Sequence, residues 1–242
     1  MSDPLGGGTR TEVRRVGDHV VRAHHRPPSP YAHPTLELLG ARGWGGAPRL
    51  VAAGPPEELT FLAGAVPPRG PVPAWARTSD ALRALGRLVR ELHDLTAGTE
   101  LVGDAETMCH NDLSPANTVY RPTTLLPYAF VDWDLAAPGT RVADLGHAAW
   151  QWLDLGPRAD VTAARRGLRS LLDGYGSDLG AREVVAAAAR WQRETASGIE
   201  DGAATDPTLA ALNAAGVPAD CRAAAGWTDA HLAELSAPDV LR

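Results

Sequence analysis

The sequence contains no lysine, because all 23 residues of its Lys+Arg total are arginine. It has only two cysteines, Cys109 and Cys221, which are too few for a disulfide scaffold and show no metal-ligand spacing. Residues 1–10 lack the apolar core of a signal peptide, and the longest apolar run, at 184–189, is far too short to span a bilayer. These absences predict a cytoplasmic protein with reduced thiols and no membrane segment.

The chain has 242 residues and 44% hydrophobic content, enough for one large domain or two small ones with a substantial core. Its net charge of −6 is uneven: residues 1–66 carry a net +1, whereas residues 67–242 carry a net −7. This charge disfavours nucleic acid as a partner and suits a cationic ligand, although charge alone favours the alternative that the acidic side chains only keep the surface soluble. Nothing in the sequence indicates the oligomeric state.

The first sixty residues predict a small, mostly antiparallel sheet. Four strands are expected, at residues 11–16, 19–24, 49–54 and 58–64. Gly17 and Asp18, between the first two strands, are a strong hairpin signal.

One short helix is predicted between the second and third of these strands. The segment "SPYAHPTLELLGARG", residues 29–43, offers Ser29 or His33 before a proline as its start and Gly43 as its end. We expect this helix to lie across the sheet.

A proline-rich segment then divides the chain. Four prolines and one glycine within residues 65–76 exclude regular structure and mark a domain boundary. The predicted domains are a β-rich nucleotide-binding lobe at residues 1–66 and a helical lobe at residues 67–242, with a cleft between them where ligand sites commonly form.

The second lobe begins with a strongly patterned helix. Ser79 is its expected N-cap and Gly98 its C′ residue, and four apolar residues share one face: Leu82, Leu85, Val89 and Leu92. Further along the chain, strands are predicted at 117–120 and 128–133 and helices at 158–174, 181–198 and 227–236.

The stretch "HNDLSPAN" carries the densest group of reactive side chains. His110, Asp112 and Asn117 fit the pattern H-x-D-x-x-x-x-N, in which the carboxylate accepts a proton from a substrate hydroxyl and the amide oxygen reaches a metal ion. Pro115 restricts the loop between them. A purely structural loop, with His110 packed beneath it and Asp112 capping a turn, explains the motif alone equally well.

A second acidic position supports the catalytic alternative. Asp132 follows the apolar run "YAFV" fifteen residues after Asn117, and hairpin geometry brings the two residues to the same end. An amide oxygen and a carboxylate, completed by water and phosphate oxygens, are a usual way to hold Mg²⁺ in a phosphoryl-transfer site.

Three segments, "CHNDLSPANTVY", "FVDWDLAAPG" and "RVADLGHAAW", resemble in this order and spacing the aminoglycoside phosphotransferase family, which is related to the protein kinases. The resemblance runs from about residue 12 to residue 155. It implies an α+β, protein-kinase-like two-lobed fold, with a small antiparallel-sheet N-lobe and a larger, mostly helical C-lobe. It also implies a Mg²⁺ cofactor and ATP or GTP as co-substrate.

The resemblance implies a role for each matched residue. Asp112 would be the catalytic base, Asn117 and Asp132 the magnesium ligands, and Asp144 a buried residue that braces the catalytic loop by hydrogen bonds. We assign His110 to support of the loop.

The N-terminal lobe departs from the family pattern. The family places a glycine-containing loop over the phosphates, and here the glycine triplet at 6–8 lies so near the start that it indicates either an abbreviated lid or a flexible tail. The family also uses a strand lysine paired with a helix glutamate. Without lysine, the phosphate-gripping role falls to Arg22, with Glu37 as its expected partner; an exposed surface arginine is the alternative.

The nucleotide base would bind at the junction of the lobes. In the family it bonds to backbone there, which corresponds here to Phe61, Leu62 and Gly64. Core packing is the alternative for Phe61 and Leu62, and these residues do not distinguish ATP from GTP.

The acceptor site has the weakest signal. The family binds its acceptor between the catalytic loop and the C-terminal helices, and acidic or flat side chains are available there: Trp191, Glu194, Glu200, Asp201 and Asp206. Asp134 is a further candidate for a metal or substrate contact, with a turn or helix cap as its alternative. A solvated helix end accounts for the acidic residues as well.

The function that follows is transfer of a nucleotide γ-phosphate to a hydroxyl of a small molecule, aminoglycoside-like or another amino alcohol or sugar. Ser114 stands where protein kinases acting on serine and threonine usually place a lysine, which favours a small-molecule acceptor. One alternative is a catalytically silent nucleotide-binding or regulatory relative, because the lysine is missing and the start is short. Another is a metal-dependent hydrolase that uses the same Asp/Asn/Asp group to activate water.

Overall fold

The computed structural model describes residues 2–4, 11–24, 27–176 and 179–238. The glycine triplet at 6–8 lies outside the described residues. The predicted fold class is confirmed, because a small antiparallel sheet is followed by a larger, mostly helical part. None of the described helices is long and apolar enough to cross a membrane.

A five-stranded antiparallel sheet forms the N-terminal part, in the order β1-β2-β3-β5-β4. The strands are β1 (Ser2–Pro4), β2 (Thr11–Val16), β3 (His19–His24), β4 (Leu50–Ala52) and β5 (Glu57–Thr60). The predicted hairpin is present: Val16 pairs with His19, and Gly17 takes the positive φ of +62° that the turn needs.

Helix α1 (Ala32–Ala41) connects β3 to β4 and starts at a different residue from either expectation. Its N-cap is Tyr31, because Ser29 and His33 are engaged elsewhere. Ser29 Oγ donates to the carbonyl of Ala136 at 2.6 Å, and the His33 side chain contacts Glu57 on β5.

The predicted boundary segment is irregular except at its end, where a 3₁₀ turn (Ala74–Arg77) forms after the last of its prolines. Helix α2 (Ser79–Thr96) follows and buries its four predicted apolar residues. Its N-cap is Thr78 rather than Ser79, since the Thr78 hydroxyl accepts from the N–H of Ala81 at 3.2 Å. Gly98 has the expected positive φ, +69°.

The central part of the chain forms two short antiparallel pairs. These are β6 (Thr107–Cys109) with β9 (Ala137–Gly139), and β7 (Thr118–Tyr120) with β8 (Pro127–Phe130). The second pair is the hairpin predicted from the sequence.

Six helices complete the described chain: α3 (Arg141–Leu153), α4 (Val161–Tyr175), α5 (Ala181–Gly202), α6 (Pro207–Ala214), α7 (Val217–Ala230) and α8 (Leu232–Leu235). The prediction of a single helix at 227–236 is wrong, because the chain breaks at His231 between α7 and α8. Helix α2 packs so closely on α4 that a Cβ at Gly86 would lie 2.1 Å from the Leu171 carbonyl oxygen. This packing makes a rigid base beneath β6 and the loop that follows it.

Candidate active site

The loop from His110 to Asn117 joins β6 to β7 and is held from below by Asp144, near the start of α3. Asp144 accepts the backbone N–H of His110 at 3.0 Å through Oδ2 and that of Asn111 at 3.0 Å through Oδ1. Asn111 has a positive φ of +61°, so the two N–H groups converge on one carboxylate. The predicted brace is therefore present as a set of contacts.

Asp144 is fully buried. Burial by itself raises the pKa of this carboxyl group, but hydrogen bonds from the side chain of His93 and from the backbone N–H of His110 lower it below its ordinary value. His93 Nε2 lies 3.2 Å from Asp144 Oδ2, while His93 Nδ1 lies 2.9 Å from the Tyr175 hydroxyl. Helices α2, α3 and α4 thus meet beneath the loop.

His110 connects the loop to the segment that precedes Asp132. Its Nε2 donates to the carbonyl of Val131 at 3.1 Å, and its Nδ1 accepts the N–H of Asp112 at 3.3 Å. We assign this neutral tautomer from the two partners. Burial lowers the pKa of His110, which favours the same neutral form.

Asp112 and Asn117 are joined directly. The Asn117 amide nitrogen donates to the Asp112 carboxylate oxygen Oδ2 at 2.8 Å and to its carbonyl oxygen at 3.0 Å. Asn117 is buried, so these bonds orient both side chains. Because the amide nitrogen of Asn117 is engaged in these bonds, its Oδ1 atom is the one that can bind a cation.

Asp132 reaches the same place from β8. The N–H of Val131 donates to the carbonyl of Asn117 at 2.9 Å, and Asp132 then turns with a φ of +65°. Its side chain is 32% exposed, so a ligand can reach it. The oxygen donors of Asn117 and Asp132 suit Mg²⁺, which takes carboxylate, carbonyl and water oxygens; the residues present fit the implied ion.

Arg22 lies on β3 and joins the sheet to this site. Its guanidinium donates to Glu57 Oε2 at 3.1 Å, to Asp132 Oδ1 at 2.9 Å and to Asp134 Oδ1 at 2.9 Å. Burial alone would lower the pKa of Arg22, but the three carboxylates outweigh burial and raise it. Arg22 is buried, which excludes the alternative of a surface arginine.

The expected Arg22–Glu37 pair does not form. Helix α1 buries the face that carries Leu36 and Leu39, which leaves Glu37 exposed on the opposite side. The partner on the sheet is Glu57 instead, which stands directly opposite Arg22 in the β3–β5 register. Sequence reasoning missed Glu57 because a strand pattern does not reveal which strands pair.

The segment after β5 approaches β7 at the junction of the sheet with the helical part. Ala65 pairs with Tyr120, and a Cβ at Gly64 would lie 2.4 Å from the Tyr120 carbonyl oxygen, so only glycine fits there. Phe61 and Leu62 are half-buried, and the Phe61 ring lies under the Arg15 guanidinium at 3.8 Å. A nucleotide-binding role for Phe61, Leu62 and Gly64 stays a prediction.

The acceptor candidates are spread along α5 and beyond. Trp191 is connected to the catalytic loop through His147. The Trp191 ring lies 5.0 Å from the His147 ring, and the His147 side chain donates to the Leu113 carbonyl at 2.9 Å. The Trp191 indole also donates to the Ala143 carbonyl at 2.8 Å. Glu200 lies about 13 Å further along the helix axis and is paired with Arg222.

The remaining acidic candidates have ordinary surroundings. Glu194 lies 3.9 Å from Arg190 one helical turn away, and Asp201 is exposed. Asp206 is the N-cap of α6 and accepts the N–H of Thr208 at 2.8 Å. An acceptor role for these residues stays a prediction. Asp134, the remaining candidate, accepts a hydrogen bond from Arg22.

His147 predicts a pH dependence of folding. Burial lowers its pKa from the ordinary 6.5 to about 4, so on acidification the unfolded chain binds this proton before the folded chain does. Neutral His147 contributes fully to the stability of the folded protein above pH 6.5, and this contribution is lost as the pH falls towards 4. From this group alone we expect the free energy of unfolding to be about 2 kcal/mol smaller at pH 5 than at pH 7.

Urea unfolding at both pH values measures this difference. His147→Asn is the matched variant, because its amide nitrogen still reaches the Leu113 carbonyl but does not titrate. An equally steep loss of stability in this variant would contradict the assignment.

Residues 100–184 match the model described as the phosphotransferase enzyme family. No curated protein sequence gives a significant match.

Solved structures match nearly the whole chain at low identity. A choline/ethanolamine kinase family protein from Mesorhizobium loti is 18% identical with a TM-score of 0.65, over 98% of this chain and 92% of that one. The macrolide 2′-phosphotransferase from Brachybacterium faecium is 16% identical with a TM-score of 0.58, over 99% and 93%. An aminoglycoside phosphotransferase in a ternary complex with streptomycin and ATP is 12% identical with a TM-score of 0.56, over 90% of each chain.

At these identities the solved structures establish the fold alone. Together with the family match, they confirm the resemblance read from the three motifs: residues 100–184 match the phosphotransferase enzyme family, on a chain with a protein-kinase-like fold.

Proposed function

We propose that this protein transfers the γ-phosphate of a nucleoside triphosphate to a hydroxyl group of a small molecule. The observation that carries the proposal is that the loop holding Asp112 and Asn117 is hydrogen-bonded to the segment that holds Asp132. Asn117 holds the Asp112 carboxylate at 2.8 Å, and the backbone next to Asp132 bonds to Asn117 at 2.9 Å. This arrangement brings a proton acceptor and two oxygen ligands to one end of the β7–β8 hairpin.

Each residue then has a defined task. The Asp112 carboxylate accepts the proton of the acceptor hydroxyl. The hydroxyl oxygen bonds to the γ-phosphorus, and the bond between that phosphorus and the bridging oxygen of the departing diphosphate breaks. Asn117 Oδ1 and the Asp132 carboxylate would hold Mg²⁺, which supplies positive charge to the phosphate oxygens. Arg22 adds a second, protein-borne positive charge beside Asp132.

We propose a small hydroxylated acceptor that carries positive charge, such as an amino alcohol or an aminosugar. The acidic excess of residues 67–242 supports a cation, and Trp191 offers an aromatic wall that is tied to the catalytic loop through His147. The similar structures include a choline/ethanolamine kinase family protein, a macrolide 2′-phosphotransferase and an aminoglycoside phosphotransferase in complex with streptomycin.

One observation favours a second candidate, a catalytically silent nucleotide-binding protein. Arg22 bonds to Asp132, the carboxylate assigned to the metal, and an arginine that keeps this bond competes with Mg²⁺. The proposed kinase therefore requires that Mg²⁺ and nucleotide bind despite this ion pair.

Thermal unfolding in the presence of ATP or GTP, with and without Mg²⁺, tests the nucleotide site. A ligand at 100 times its Kd stabilises the folded state by about 2.7 kcal/mol, which for a domain of this size raises Tm by several degrees. We expect such a shift only when Mg²⁺ is present. A shift that is the same without Mg²⁺ would favour the silent alternative, and no shift with either nucleotide would contradict both.

A further inference from the structure

The contacts around Arg22 continue beyond the three carboxylates into helix α1. Glu57 uses both of its oxygens: Oε2 accepts from Arg22 at 3.1 Å, and Oε1 accepts from His33 Nε2 at 2.7 Å. The Glu57 side chain is 3% exposed and that of Arg22 is 8% exposed, so both lie away from bulk water. The His33 side chain is 26% exposed and lies between Glu57 and the solvent.

This chain of contacts fixes the direction of the Arg22 guanidinium. An arginine side chain is long and has many rotamers, so holding it at one place costs conformational entropy. Glu57 stands opposite Arg22 on the neighbouring strand, where the sheet register sets the distance between the two backbones. His33 in turn sets the rotation of the Glu57 carboxylate, because it binds the oxygen that Arg22 does not use.

We propose that Glu57 and His33 are the positioning residues of Arg22, so that a strand glutamate oriented by a helix histidine takes the part that the family pattern gives to a helix glutamate. The inference rests on the proposed nucleotide-dependent phosphoryl transfer. The orientation of Arg22 towards the phosphates, and hence the affinity for nucleotide, then depends on the contact between α1 and β5.

Four variants separate this arrangement from its alternatives. Glu57→Gln keeps the volume but removes the charge that faces Arg22. His33→Leu removes the donor to Glu57, and His33→Gln restores a donor nitrogen on a side chain of similar reach. Glu58→Gln is the matched control, because Glu58 is the next residue of β5 and its exposed side chain pairs with His19 rather than Arg22.

The measurement is the Kd for Mg²⁺–ATP and Mg²⁺–GTP by calorimetry, with KM and kcat alongside. Because the charge of Glu57 faces the Arg22 guanidinium, we expect roughly tenfold weaker nucleotide binding or more in Glu57→Gln. His33→Leu should weaken binding about fivefold, and His33→Gln should return it to within about twofold of the native protein. The KM for the acceptor should stay unchanged, which distinguishes positioning of Arg22 from a general loss of structure.

Glu37→Gln tests the Arg22–Glu37 pairing expected from the sequence. This variant should bind nucleotide with the affinity of the native protein. Weaker binding in Glu37→Gln, or native affinity in both Glu57→Gln and His33→Leu, would overturn this inference while leaving the proposed function intact. No binding of either nucleotide by the native protein would overturn the proposed function and the inference together. If Glu57→Gln does not fold, the His33→Leu and His33→Gln pair decides the question, because His33 is partly exposed.

Discussion

Asp112→Asn is expected to lower kcat by about 10³-fold, the range in which a positioned general base contributes to catalysis. Asparagine has nearly the same shape and can still accept the hydrogen bond from Asn117 Nδ2, which is 2.8 Å long in the native protein. It cannot take up a proton from the acceptor hydroxyl. Nucleotide affinity should therefore change little, and steady-state kinetics should show the loss in kcat rather than in the KM for nucleotide.

The control for this variant is Asp104→Asn, which removes a carboxylate from the exposed turn after residue 103. It should keep native kcat. Native turnover in Asp112→Asn would contradict the role of Asp112, whereas an equal loss in both variants would trace the effect to net charge.

Asp132→Asn should lower the Mg²⁺-dependent affinity for nucleotide by about 100-fold or more, because it removes the charged one of the two proposed protein ligands, Asn117 and Asp132. The same variant also weakens a contact with Arg22. Asp134→Asn separates the two effects, since Asp134 accepts from the same Arg22 nitrogen at the same distance, 2.9 Å.

We expect Asp134→Asn to lose less than about tenfold in nucleotide affinity, since Asp134 contacts Arg22 but is not one of the two proposed metal ligands. Calorimetric titration of ATP and GTP at several Mg²⁺ concentrations makes the comparison. Equal losses in the two variants would show that both carboxylates act through Arg22 and would remove the basis for assigning the metal to Asp132.

The parts of the site that the sequence predicts are those that local chain geometry connects. Asn117 directly precedes β7 and Asp132 follows β8, so both lie at the same end of one hairpin and their meeting follows from the pairing of its strands. The hairpin around Gly17 is predicted for the same reason. Asp144 is 34 positions from His110, and its place near the loop is expected from the family resemblance rather than from local geometry.

The surroundings of Arg22 depend on contacts between distant segments, and the sequence predicts them poorly. Glu57 is separated from Arg22 by 35 positions, and only the pairing of β3 with β5 brings the two together. The expectation that Glu37 is the partner is wrong because α1 turns its other face to the sheet. A signal for His93 was present, since it lies on the buried face of α2 among apolar residues.

The C-terminal helices show a second limit. Helix α6 has no buried side chain, so no apolar period marks it in the sequence. Prolines stand at the starts of α6 and α7, which the sequence pattern does not distinguish from loop prolines. Both helices pack on α5, which carries most of the acceptor candidates, so the sequence does not predict the surroundings of those candidates.

The most direct test of the central claim is transfer of a labelled γ-phosphate. The purified protein is incubated with Mg²⁺ and labelled ATP or GTP, together with aminoglycosides, macrolides, amino alcohols or sugars, and the label is followed into the acceptor. We predict a phosphorylated acceptor with the native protein and none above background with Asp112→Asn. Release of the label only as inorganic phosphate, at a rate that no acceptor changes, would contradict a phosphotransferase and indicate hydrolysis instead.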